Sequence, residues 1–121
     1  MPAKKILIVD DSPTNRHFLF EILARHGYRC ILAETAKEGI DKAKAEKPDL
    51  ILMDVVMPDM DGFQATRLIT RDEELKHIPV ILCTSKNQQT DRLWGMRQGA
   101  KNYVVKPVDE QDLLAKIAAL G

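Results

Sequence analysis

The chain has 121 residues, enough for one domain with a single hydrophobic core. Hydrophobic residues make up 45% and charged residues 30%, which excludes a disordered chain, and no apolar run approaches the length of a membrane-spanning helix. Lys plus Arg and Asp plus Glu each number 18, so the chain lacks the basic excess of a dedicated nucleic-acid binder. The start, Met1 to Lys5, lacks the long apolar region and cleavage site of a secretory signal. These features predict a cytoplasmic protein that engages neither membrane nor nucleic acid.

The pattern alternates strand and helix five times. Lys5 to Val9 is an apolar run that ends in Asp10 and Asp11. Ser12 and Pro13 then suit an N-cap and the first helical position. Phe18, Leu19, Ile22 and Leu23 are expected on the inner face of that helix, Phe20 off it, and His26-Gly27 at its end. Cys30 to Ala33 reads as the second strand, and Thr35-Ala36-Lys37-Glu38 as a capping box. Ala36, Ile40 and Ala43 form the narrow apolar stripe of the second helix.

Pro48 closes that helix, and Leu50 to Met53 is a short continuous apolar run. Such a run, bounded by turn residues, predicts a strand covered on both faces. Asp54 is the first residue beyond it. Asp61 is placed to cap a third helix with Phe63, Thr66 and Ile69 inward, and Arg71 to Lys76 reads as a polar loop. Pro79 to Thr84 is the fourth strand. The fourth helix ends near Gln98-Gly99 and carries Leu93 and Met96 without a clear stripe, so it is expected to be the least firmly anchored. Trp94 reads either as a core plug or as an anchor for a partner. Asn102 to Val105 is the last strand, and Asp109 caps a last helix with Leu113, Leu114, Ile117 and Leu120 inward. Cys30 and Cys83 both fall in strand-like runs and read as buried thiols.

Five strand–helix units predict a three-layer, flavodoxin-like α/β fold, (βα)5, with a five-stranded parallel sheet in the order 2-1-3-4-5. The chain is expected to be one domain over residues 1–121 with no output domain attached. In such sheets chemistry gathers beyond the C-terminal strand ends. Those ends deliver Asp10 and Asp11, Asp54, Thr84 and Lys106; Glu34, at the outer strand, is left aside.

Two carboxylates at ~4 Å repel by roughly 4 kcal/mol at an intermediate effective dielectric. Three of them therefore either raise a pKa or bind a cation, and an all-oxygen set suits Mg²⁺ or Mn²⁺. A dianionic phosphoryl group fits between such an ion and Lys106, with Thr84 donating a hydrogen bond and Asp54 as covalent acceptor. Any one of these acids alone reads as a turn former or helix cap. The combination of residue types at four strand ends argues for chemistry.

The set Asp10-Asp11, Asp54, Met57-Pro58, Asp61-Gly62, Thr84, Gly99-Ala100, Tyr103 and Lys106-Pro107 resembles the receiver domain of two-component response regulators along essentially the whole chain. The resemblance implies that Asp54 takes a phosphoryl group from a histidine kinase or a histidine phosphotransfer domain. It implies Mg²⁺ on Asp11, Asp54 and the backbone carbonyl of Val56, with Asp10 acting through water. It implies a cis Lys106-Pro107 bond, Lys106 on the phosphoryl oxygen, and a switch formed by Thr84 and Tyr103. The output would be altered affinity for a protein target on the face of the fourth helix, fifth strand and fifth helix. Residues 62–67 and 90–100 further resemble stand-alone regulators of type IV pilus twitching motility, which are chemotaxis-like and take phosphate from a chemotaxis-type kinase. A monomer is expected, acting as effector or as a phosphate sink for a shared kinase, and not as a turnover enzyme.

Val56 and Lys86 depart from the Asn and Glu common in fast-dephosphorylating motility receivers. Val56 has no polar group to orient water, which predicts slow loss of the phosphoryl group. Other readings fare worse. A haloacid dehalogenase-type phosphatase needs a second acid where Val56 stands. A pseudo-receiver would have lost Asp11, Asp54 or Lys106. A flavodoxin-like phosphate loop would not be acidic after the first strand.

Overall fold

The computed structural model describes residues 4–120. The N-terminal reading of Met1 to Ala3 and the chain end at Gly121 lie outside the described residues.

The alternation of strand and helix is the observed element order. It runs β1 (Lys5–Val9), α1 (Pro13–Arg25), β2 (Arg29–Ala33), α2 (Ala36–Glu46), β3 (Leu50–Met53), α3 (Gly62–Arg71), β4 (Val80–Thr84), α4 (Gln89–Arg97), β5 (Asn102–Val105) and α5 (Glu110–Ala119). All four strand pairings are parallel and the sheet order is β2-β1-β3-β4-β5. The continuous apolar runs of β3 and β4 sit at the sheet centre, where every residue is buried. Alternate residues of each strand enter opposite cores. Leu7, Val9, Ile51, Met53, Val80 and Leu82 face one, and Ile6, Ile8, Leu50, Leu52, Ile81 and Cys83 face the other.

Local signals place the helix starts. The Oγ of Ser12 accepts from the Asn15 N–H, and Asp61 and Asp109 accept from the N–H groups of Gln64 and Asp112. Thr35 caps α2 as expected, but the Glu38 carboxylate reaches past Thr35 to the Glu34 N–H at 2.6 Å. Asp59, from the loop after β3, adds a second cap by accepting from the Ala36 and Lys37 N–H groups. That loop is thereby tied to α2 as well as to α3.

Several expected core residues lie outside. Phe18 is 47% exposed, because Leu19, Ile22 and Leu23 fill the inner stripe of α1. Phe20 is half-exposed, as its position predicts. Leu93, Trp94 and Met96 all point outward from α4, whose buried residue is Gly95. The core-plug reading of Trp94 is therefore excluded. Leu120 is also on the surface, just past the last turn of α5. Conversely, Leu75 in the polar stretch after α3 is fully buried. Cys83 is buried and Cys30 only partly so, and both are free thiols. Burial pushes the Cys83 thiol up to about 12, which leaves it inert as a nucleophile.

Candidate functional site

The C-terminal ends of β1, β3, β4 and β5 converge on one cleft. Asp54 leaves β3 directly into it: its backbone N–H donates to the Val9 carbonyl at 2.9 Å, as though the strand continued one residue further. Gly62 then packs the start of α3 against the Asp54 backbone. A Cβ at Gly62 would lie 2.0 Å from the Asp54 carbonyl oxygen, so the approach requires glycine. The Gly62 N–H donates to the Val55 carbonyl at 2.8 Å and closes the loop.

Asp10 and Asp54 are buried while Asp11 is exposed, and one carboxylate oxygen from each lies within 4.8 Å of the others. Asp10 has little freedom. One of its oxygens accepts from the Ser12 N–H at 2.9 Å and the other from the Lys106 Nζ at 2.6 Å. Arg16 donates to the Asp10 backbone carbonyl and pairs with Glu34 at 3.4 Å. Glu34, which sequence reasoning set aside, thus supports the site from behind.

Asp54 is differently placed. One oxygen accepts from the Val55 N–H at 2.7 Å, and the other is 3.5 Å from the Lys106 Nζ. Burial raises the Asp54 pKa above the ordinary carboxylate value, and the Asp10 charge adds to it, while Lys106, the Val55 N–H and the Thr84 hydroxyl oppose the rise. Burial by itself would lower Lys106, but its hydrogen bond to Asp10 and the charges of Asp54 and Asp10 carry it above the usual lysine value. Lys106 therefore stays cationic and is shared between the two buried acids. The Lys106-Pro107 peptide bond is cis.

Thr84 and Tyr103 are both buried, and the backbone of a single residue, Lys86, joins them. The Lys86 N–H donates to the Thr84 Oγ1 at 3.3 Å, and the Lys86 carbonyl accepts from the Tyr103 hydroxyl at 2.8 Å. Burial raises the Tyr103 phenol to about 12, so it remains a donor at physiological pH. Its ring lies inward beneath α4: a Cβ at Gly95 would come within 3.3 Å of it, and the Arg92 guanidinium sits 5.4 Å from its centroid. Sequence reasoning did not find Gly95 or Arg92. Neither belongs to a periodic stripe, and their contacts exist only once β5 lies under α4. Val56 is 57% exposed at the cleft loop, and the Lys86 side chain is exposed.

A doubly wound sheet with three acids, a lysine and a hydroxyl at its C-terminal edge defines a receiver, and the response regulator receiver domain family model matches residues 6–118. The chain belongs to that family and is a phosphorylation-controlled signalling switch. It is 53% identical over 116 residues to Protein PilH of Pseudomonas aeruginosa, covering 96% of each chain. Among solved structures, the chemotaxis protein CheY4 of Vibrio cholerae superposes with a TM-score of 0.91 at 28% identity, covering 98% of this chain and 99% of that one. The receiver domain of the sensor histidine kinase PA1611 from Pseudomonas aeruginosa has a TM-score of 0.89 at 30% identity over 98% and 97% of the chains, and its structure holds a magnesium ion in the active-site cleft. Among the described residues, no helix is long and apolar enough to cross a membrane.

Proposed function

We propose that Asp54 is the phosphoacceptor, with Lys106 and Thr84 as the groups that receive the transferred phosphoryl. The observation that carries this is the position of Asp54, buried at the end of β3 beside Asp10 and Asp11, with the Lys106 Nζ shared between it and Asp10. An Asp54 carboxylate oxygen attacks the phosphorus of a donor phosphohistidine. The phosphorus–nitrogen bond breaks, the imidazole leaves with a proton, and an acyl phosphate forms on Asp54.

The donor set fits a hard divalent cation: three carboxylate oxygens close together and no soft ligand among them. Asp11 and Asp54, with the Val56 carbonyl, would hold Mg²⁺ or Mn²⁺, and Asp10 would act through water. The ion would neutralise charge between the acids and the incoming phosphoryl group. Lys106, held at 2.6 Å by Asp10 and 3.5 Å from Asp54, is placed to swing onto the new phosphoryl oxygens. The Thr84 hydroxyl would turn toward the same oxygens, pulling on the Lys86 N–H and, through its carbonyl, on Tyr103. The reporting face would be α4, β5 and α5, offered to a protein target.

We infer a cytoplasmic, monomeric, non-enzymatic regulator that takes phosphate from a chemotaxis-type histidine kinase or a phosphotransfer domain in control of pilus motility. The similarity to Protein PilH and the tracts 62–67 and 90–100 support that setting. The test is Mg²⁺-dependent phosphotransfer from candidate kinases to the wild type and to Asp54→Asn. Labelling of the wild type alone is expected. Equal labelling of Asp54→Asn, or none of the wild type from any donor, would overturn the reading.

A further inference from the structure

We propose that the outward faces of α3 and α4 together form a docking surface for an acidic amphipathic segment of another protein, with Trp94 as its apolar anchor. This surface is distinct from the face of α4, β5 and α5.

The orientation of α4 separates the two. Gly95 faces the sheet. Successive helical residues turn by about 100°, so Arg92 and Met96 fall on one flank and Trp94 and Gln98 on the other. Contacts identify the flanks. Arg92 lies over the β5 residue Tyr103, whereas the Gln98 carbonyl accepts from Thr70 of α3 at 2.7 Å. Trp94 therefore lies on the α3 side, and Leu93 and Arg97 point to solvent beside it.

The apolar content of this surface is unusual for solvent-facing helix. Leu93 is 58% exposed and Trp94 49%. A depression of about 210 Å³ is lined by Leu93, Trp94, Thr90 and Arg97, whereas Leu68 lies with Met60, Gln64 and Asp72 on the opposite, α2 flank of α3, where Asp72 pairs with Lys44 of α2.

Charge selects the occupant. The two helices contain four arginines and one acid, in a chain whose formal charge is zero. That acid, Asp91, is engaged with the Gln88 N–H, and Arg92 with the Tyr103 ring. Among the described residues, Arg67, Arg71 and Arg97 pair with no carboxylate. The helix dipole accounts for arginines near helix C-termini, but not for the two large apolar side chains exposed beside them. Trp and Arg around an apolar centre is the composition of protein-interface hot spots, whereas nucleic-acid surfaces are polar.

The chain's only tryptophan is the reporter. The intact protein is titrated with a synthetic amphipathic peptide carrying leucines along one face and glutamates elsewhere. Parallel titrations use its lysine-for-glutamate counterpart and phosphatidylglycerol-containing vesicles. The acidic peptide is expected to blue-shift Trp94 emission saturably and shield it from iodide. Arg67→Glu with Arg97→Glu is expected to weaken binding about tenfold or more, with circular dichroism and phosphorylation of Asp54 unchanged. Met96→Ala, on the β5 flank, is expected to leave binding intact. No response to the acidic peptide, equal binding of the lysine peptide, tighter binding to vesicles, or loss of binding in Met96→Ala would each overturn the proposal. The binding readouts do not depend on phosphotransfer, so their failure leaves the phosphoacceptor reading standing.

Discussion

Helix α3 buries Gly62, Phe63, Ala65, Thr66 and Ile69, whereas its neighbour α4 buries Gly95 within its span. The two helices are of similar length and joined by the Thr70–Gln98 hydrogen bond. Yet α3 is held by side chains in the core, and α4 by exchangeable contacts: the Asp91 cap, the Arg92–Tyr103 stack and the Gly95 seat. The difference follows the chemistry. With Asp54 as the proposed acceptor, the helix that follows it would have to hold it still, and the helix that follows Thr84 would have to be free to respond. Low-stability elements are where such responses arise.

The comparison breaks most visibly at the glycines. Gly62→Ala drives a Cβ into the Asp54 backbone and is predicted to cost about 3 kcal/mol or more, with loss of phosphorylation, measured by urea denaturation and labelling. Gly95→Ala meets the ends of the Leu82, Phe63 and Tyr103 side chains rather than backbone. It is predicted to cost only about 1 kcal/mol, overpacking being offset by helix propensity. Equal losses at the two sites would erase the distinction.

Core truncation sharpens it. Ile69→Ala is predicted to lose about 3 kcal/mol and Leu93→Ala less than about 0.5 kcal/mol in the same denaturation assay. Amide exchange should be faster in α4 than in α3.

The buried Asp54 carboxylate is predicted to weaken the fold. Burial and the Asp10 charge raise the Asp54 pKa above that of the unfolded chain, so the native state holds this proton more tightly. Native stability therefore falls as pH rises from the ordinary carboxylate range through the raised value. Asp54→Asn removes that loss. In chelator-treated protein it should raise Tm at neutral pH, and the gain should shrink in acid. A lower Tm at neutral pH would contradict this account.

Two smaller effects probe one residue on each side, Tyr103 beneath α4 and Val56 in the loop before α3. Tyr103→Phe removes the hydrogen bond to the Lys86 carbonyl and is predicted to cost about 1 kcal/mol while uncoupling α4 from phosphorylation, read by amide exchange with and without phosphodonor. Val56→Asn should change stability by less than about 0.5 kcal/mol, because residue 56 is exposed, yet shorten the acyl-phosphate lifetime. An unchanged lifetime would remove Val56 from rate control.

Much of this was legible in the chain itself. The runs of β1, β3 and β4, the caps at Ser12, Thr35, Asp61 and Asp109, and the polar residues at the strand ends are local signals, and each survives in the structure. Five βα units commonly take the order 2-1-3-4-5, and that order brought the ends of β1 and β3, with Asp10, Asp11 and Asp54, together. Tertiary structure decided what depends on partners distant in sequence. It turned Phe18, Leu93 and Met96 outward and Leu75 inward, because the inner stripes were already filled or the neighbouring element lay elsewhere. It made Gly95 the seat of Tyr103 and Lys86 the bridge to Thr84. Backbone contacts of that kind leave no periodic trace in side-chain type. Periodicity reports which residues avoid water, whereas packing alone decides which of them touch.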